Sequence, residues 1–262
     1  MWTDRILCDC KIPVWGTHEI SVDIYRGCSD SPNRPCLIFL HGGGFVGGDK
    51  KQFSGMAAYL SLRLNAVCLS INYRTAPQAR FPAPVCDCLG ACRWAGENRE
   101  AFGIGNIYLA GGSPGANIAA MAMLNGESIL RDMGISQTAV LPKRGILLNP
   151  ILDLELFYRD NPSERESVDR YLGSNSAELR EKASPISYPQ AGISLLILQG
   201  TDDCVVGWEA LGEMDRRFSQ AGSRIIVRQF PNEPHGWFNY SEKMNNVADA
   251  IGQYVLDSER KH

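Results

Sequence analysis

Short apolar runs rich in β-branched residues recur along the chain, separated by longer segments with helical spacing. That is the pattern of a parallel sheet covered by helices on both faces. The runs are Cys36 to Leu40, Ala66 to Ile71, Ile107 to Ala110, Gly145 to Leu148, Ser194 to Gln199 and Arg224 to Phe230. Between them, helices are predicted around Phe53 to Leu64, Val85 to Asn98, Pro114 to Leu124, Val206 to Ala221 and Tyr240 to Ser258. Ile12 to Tyr25 alternates more loosely and is expected to add an antiparallel edge hairpin. The rhythm breaks from Asp153 to Pro189, which carries charge clusters such as Glu164-Arg165-Glu166 and one helix-like run, Ala177 to Ala183. This segment, about 153–190, reads as an insertion over the C-terminal strand ends, where α/β sheets build their ligand crevices. The expectation is a single α/β domain over residues 1–262 with a mostly parallel central sheet.

Composition narrows the partners. With 44% hydrophobic and 21% charged residues the chain can bury a substantial core, and its net charge of -3 gives no basic patch for nucleic acid or an anionic membrane. No apolar run approaches the length of a bilayer span, and Met1 is not followed by the basic and apolar segments of a signal peptide. A cytoplasmic location and a small-molecule partner are expected. Nine cysteines, an odd number, cannot all pair within one molecule, which fits reduced thiols. Cys8-Asp9-Cys10 and the Cys86, Cys88, Cys92 group lack the C-x-x-C pairs or trailing histidines of a zinc site. Cys88 and Cys92 share a helix face, which for so small an apolar residue means core packing, and no metal is expected.

The chemistry gathers at strand ends. Gly111-Gly112-Ser113-Pro114-Gly115 lies between an apolar run and a helical run, the setting of a nucleophile elbow. Ser113 is the candidate nucleophile, helix capping being the plainer alternative. Three consecutive glycines in His41-Gly42-Gly43-Gly44-Phe45 follow another strand. Backbone so free of side chains suits a close approach to a ligand, and the Gly43 and Gly44 amides are candidate donors to an oxyanion. His41 is more simply a structural anchor of that loop. Among the four histidines, His18, His41, His235 and His262, only His235 stands in a loop after a strand and before the last helix, where a base is mounted. The acid belongs after the strand Ser194 to Gln199, in Gly200-Thr201-Asp202-Asp203, and spacing alone does not separate Asp202 from Asp203. Phe45, Trp237 and Phe238 are candidates for the substrate pocket wall, with core packing the alternative for each.

With these motifs in place, the sequence resembles the α/β-hydrolase esterases related to hormone-sensitive lipase and the acetylesterases. The likeness runs from about Arg34 to Tyr240, through the His41 to Phe45 motif, Asn72-Tyr73-Arg74, Gly111 to Gly115, Gly200 to Asp203 and His235-Gly236-Trp237-Phe238. It implies a cofactor-free hydrolase of short acyl esters, with Ser113, Asp203 and His235 as triad and Gly43 and Gly44 in the oxyanion hole. The family's G-x-x-D pattern is what places the acid at Asp203. Tyr73 and Arg74, by the same resemblance, support the oxyanion loop.

One residue departs from that pattern. The position after the nucleophile normally donates its backbone N–H to the oxyanion, and here it is Pro114, which has none. Proline suits the first turn of a helix, so the loss falls on the chemistry and not on the fold. Three readings follow. An esterase for acetyl-sized groups, with sugar acetates as one setting, works through an acyl-enzyme. An amide hydrolase of the arylformamidase or peptidase kind uses the same machinery, and a catalytically impaired homologue only binds its ligand.

Overall fold

The computed structural model describes residues 5–136 and 141–260. Its strands are β1 (Ile6–Pro13), β2 (Glu19–Arg26), β3 (Arg34–Leu40), β4 (Val67–Ile71), β5 (Ile104–Gly112), β6 (Arg144–Leu148), β7 (Ser194–Gly200) and β8 (Arg224–Phe230). The helices are α1 (Ser54–Leu64), α2 (Ala83–Glu97), α3 (Arg99–Phe102), α4 (Pro114–Asp132), α5 (Leu154–Asp160), α6 (Arg165–Leu172), α7 (Ala177–Lys182), α8 (Trp208–Gln220) and α9 (Ser241–Glu259). The strands form one sheet in the order β1-β2-β4-β3-β5-β6-β7-β8. Pairing is parallel from β4 through β8, and the β1–β2 hairpin joins β4 antiparallel at one edge.

Side-chain alternation divides the core. On β3, Cys36, Ile38 and Leu40 face the cluster that holds α2 and α4, while Leu37 and Phe39 face the cluster that holds α1 and α9. Both faces are covered, so the central strands are largely apolar, as the nearly continuous runs in the sequence require. Cys86, Cys88 and Cys92 all lie buried in α2 within the first cluster.

The edge hairpin extends further than expected, because β1 begins at Ile6 instead of Ile12. Its exposed residues and its register shift between Leu7 and Cys10 erase the alternation that would have marked it. The 153–190 segment folds as α5, α6 and α7 with short 3₁₀ turns between β6 and β7. No helix among the described residues is long and apolar enough to cross a membrane.

Candidate active site

Ser113 sits at the turn from β5 into α4 with φ 53° and ψ -117°, a conformation that strains any residue bearing a Cβ. The turn is tolerated because the glycines beside it leave room. A Cβ on Gly115 would lie 2.3 Å from Leu40 O and 2.4 Å from His41 O, so only glycine lets α4 start against the end of β3. That contact places the elbow directly beside the glycine-rich loop.

The loop is held by its own curl and by the segment after β4. Gly43 O accepts from Val46 N at 3.2 Å and Gly47 N at 3.0 Å, and Gly43 has φ +122°. A Cβ there would stand 2.4 Å from Gly47 O. The Gly42 amide donates to Gln52 Oε1 at 2.6 Å. Beneath, Tyr73 donates its hydroxyl to His41 O at 2.7 Å and stacks on the His41 ring, and Asn72 Oδ1 accepts from Lys50 N at 2.6 Å. Arg74 grips the buried Asp87 carboxylate with bonds of 2.7 to 3.1 Å. His41 is buried, which pushes its pKa down, and the ring contacts Gly42 O rather than any group at Ser113.

His235 and Asp203 are brought together by paired loops. Asp202 N donates to Glu233 O, Thr201 N donates to Phe230 O, and Asn232 N donates to Thr201 Oγ1. These bonds tie the turn after β7 to the turn after β8. His235 Nδ1 lies 2.8 Å from Asp203 Oδ2 and its Nε2 lies 2.8 Å from Ser113 Oγ. A carboxylate only accepts, so Nδ1 carries the proton and Nε2 is the acceptor facing the serine hydroxyl. Asp202 points elsewhere, exposed and bonded to Thr201 Oγ1. Of the remaining histidines, His18 is an exposed turn residue and His262 lies outside the described residues.

Asp203 is buried, and burial pushes its carboxyl pKa up. The hydrogen bond from His235 and the backbone amides of Val206 and Val205 outweigh that penalty and hold it below the usual aspartate value. Two residues missed in the sequence complete its shell. Asn149 Nδ2 donates to Asp203 Oδ2, and Gln199 Nε2 donates to the same oxygen at 3.1 Å. Asn149 also accepts from Gly236 N, so it spans both loops from the end of β6. Its signal in the sequence was an asparagine directly after a strand, a residue type that tolerates its φ of 44°.

A cavity of about 260 Å³ opens at Ser113 and His235. Gly43, Gly44 and Phe45 form one wall, and Phe157, Glu164, Ser167 and Val168 of the segment between β6 and β7 form another. Phe45 lines the cavity and stacks at 4.1 Å on Tyr171. Trp237 corrects the expectation. It is wholly buried, packed against Phe230 and Phe238 in the cluster under α9, and the ring that reaches the cavity is its neighbour Phe238. A turn of three residues directs adjacent side chains apart, so only one of the pair can face Ser113.

The fold is shared with known proteins. Residues 37–239 match the family described as alpha/beta hydrolase fold. The chain is similar to the esterase LipI of Mycobacterium tuberculosis, at 36% identity over 41% of this chain and 33% of LipI. It is also similar to an acetyl-hydrolase of Streptomyces hygroscopicus, at 26% identity over 82% of this chain and 72% of that one. Among solved structures, a hyperthermophilic esterase from Pyrobaculum calidifontis superposes with a TM-score of 0.80 at 25% identity, covering 97% of this chain and 86% of that one. The chain spans between 33% and 72% of the length of the first curated relatives it matches.

Proposed function

The chain belongs to the α/β-hydrolase fold family, and from that premise we propose that it is a carboxylesterase that cleaves small acyl esters through an acyl-enzyme on Ser113. The observation that carries the reading is the Asp203–His235–Ser113 relay, with both contacts at 2.8 Å. In the proposed reaction Ser113 Oγ attacks the ester carbonyl while its proton passes to His235 Nε2. Asp203 stabilises the imidazolium that forms. The carbonyl oxygen becomes an oxyanion held by the Gly43 and Gly44 amides. Collapse expels the alcohol, which takes the proton from His235, and water repeats the cycle on the acyl-serine.

A preference for acetyl-sized groups is supported by the likeness to the acetyl-hydrolase of Streptomyces hygroscopicus, and apolar Ile151, Phe157 and Phe238 are among the residues that line the cavity. The relatives named esterase and acetyl-hydrolase support an ester as the scissile bond. Hydrolysis of p-nitrophenyl acetate, butyrate and octanoate tests both points, with a matched anilide as the amide control. Rates that fall steeply with chain length, and an anilide left intact, are expected. A flat series would remove the size preference, and faster anilide cleavage would move the chain to the amidases.

A further inference from the structure

Glu164 contributes the one carboxylate among the described residues that line the catalytic cavity, and no arginine or lysine lines it. It ends a short 3₁₀ turn just before α6 and is half-buried. Its Oε2 and the Ser167 hydroxyl each lie 3.8 Å from where a Cβ on Gly44 would stand. Cations close to it in sequence are engaged elsewhere. Arg165 donates to the carbonyls of Tyr158 and Arg159, and Arg170 pairs with Glu166. Glu164 forms no ion pair among the described residues.

An anion here is unfavourable for the chemistry unless something engages it. Gly44 is assigned to the developing oxyanion, and a bare carboxylate beside it repels that charge. A hydroxyl donated from the substrate draws Glu164 charge into a hydrogen bond and offsets the repulsion. The two ends of an ester differ in what they offer. An acyl chain is apolar and belongs against Ile151 and Phe238, which leaves the alcohol for the wall that carries Glu164 and Ser167.

We propose that Glu164 is a specificity-determining residue that selects esters of hydroxylated alcohols, polyol or sugar monoesters, and turns away esters bearing a carboxylate. Ser167 supplies a second hydroxyl partner. This inference rests on the esterase reading and names the substrate class of that same site.

The test holds the acyl group constant as acetate and varies the alcohol, comparing kcat/KM for glycerol monoacetate, propyl acetate, acetoxyacetate and acetylcholine. Each is referred to propyl acetate within the same protein, so a general loss of activity or folding cancels. Glu164→Leu is expected to lower the glycerol-to-propyl ratio about tenfold, the scale of one hydrogen bond to a charged group. Glu164→Gln is expected to raise the acetoxyacetate-to-propyl ratio about fivefold, the scale of one unit-charge repulsion near 4 Å in water. Ratios unchanged in both variants, with propyl acetate still cleaved, would overturn the assignment of Glu164 and leave the esterase reading standing. A preference for acetylcholine over glycerol monoacetate that vanishes in Glu164→Gln would overturn the hydroxyl assignment in favour of a cationic alcohol. Failure of the wild-type protein to cleave any of these esters would overturn the esterase reading and this inference with it.

Discussion

Replacing Pro114 by alanine adds a backbone N–H at the first position of α4, directly after the strained Ser113. In this fold the oxyanion hole draws one donor from that position and one from the loop after an early strand. The ring of Pro114 removes the first donor, and the proposed hole is left with Gly43 and Gly44. Loss of a single oxyanion donor lowers turnover by about 10²–10³ in a known hydrolase. Restoring one beside an existing pair is therefore expected to raise kcat on p-nitrophenyl acetate by at least about tenfold and at most about a hundredfold. KM should change little, because the new bond strengthens only as charge develops on the oxygen. Proline at a first helical position restricts the unfolded chain, so the variant is also expected to lose about 0.4–1 kcal/mol of stability. Steady-state kinetics with a parallel urea titration reads both effects. An unchanged or lower kcat in a folded Pro114→Ala protein would refute the reasoning, since the hole would then be complete without a donor at this position.

Further outcomes follow from the same geometry. Asp203→Asn is expected to lower kcat by about 10⁴, as loss of the triad carboxylate does elsewhere, while Asp202→Asn, on an exposed side chain, stays within a few-fold of wild type; steady-state rates of the pair decide between the two acids. Asn149→Ala removes a donor from a buried carboxylate and is expected to destabilise the protein by about 1–3 kcal/mol, measured by urea unfolding. Acid should weaken the fold through His41. Burial lowers its folded pKa, so its contribution is present above the unfolded value of 6.5 and is lost as pH falls through the folded value. The thermal midpoint should therefore drop between about pH 7 and pH 5, and less so in His41→Gln. Asp203, also lowered, adds its loss only at more acid pH, below the ordinary aspartate value of 3.8.

The central parallel strands were legible because they are buried on both faces and bounded by helical spacing. The run Ala66 to Ile71 exceeds β4 by one residue, and Gly145 to Leu148 misses only the first residue of β6. The partly exposed edge strand β8 was marked by its β-branched residues, exposed β1 was caught only at its end, and α5 and α6 left no signal although the still shorter α7 was marked by its run Ala177 to Ala183. Site residues in glycine-bounded turns stood out by type, since few residues other than Ser113 and His235 have such surroundings. Side-chain direction did not. Neither the choice between Asp202 and Asp203 nor that between Trp237 and Phe238 follows from spacing, because adjacent residues in a turn diverge by backbone geometry that the residue types do not encode. In the sequence Glu164 is one member of the charge cluster Glu164-Arg165-Glu166, and only the fold of the segment between β6 and β7 brings it beside Gly44.

Ester cleavage in the proposed reaction depends on Ser113 being an activated nucleophile. An organophosphonate probe reacts readily only with such a serine, and intact-mass and peptide mass spectrometry locate the adduct. One adduct per chain is expected, on Ser113, absent in Ser113→Ala and strongly slowed in His235→Ala. No adduct on the wild-type protein, or one on another residue, would contradict it.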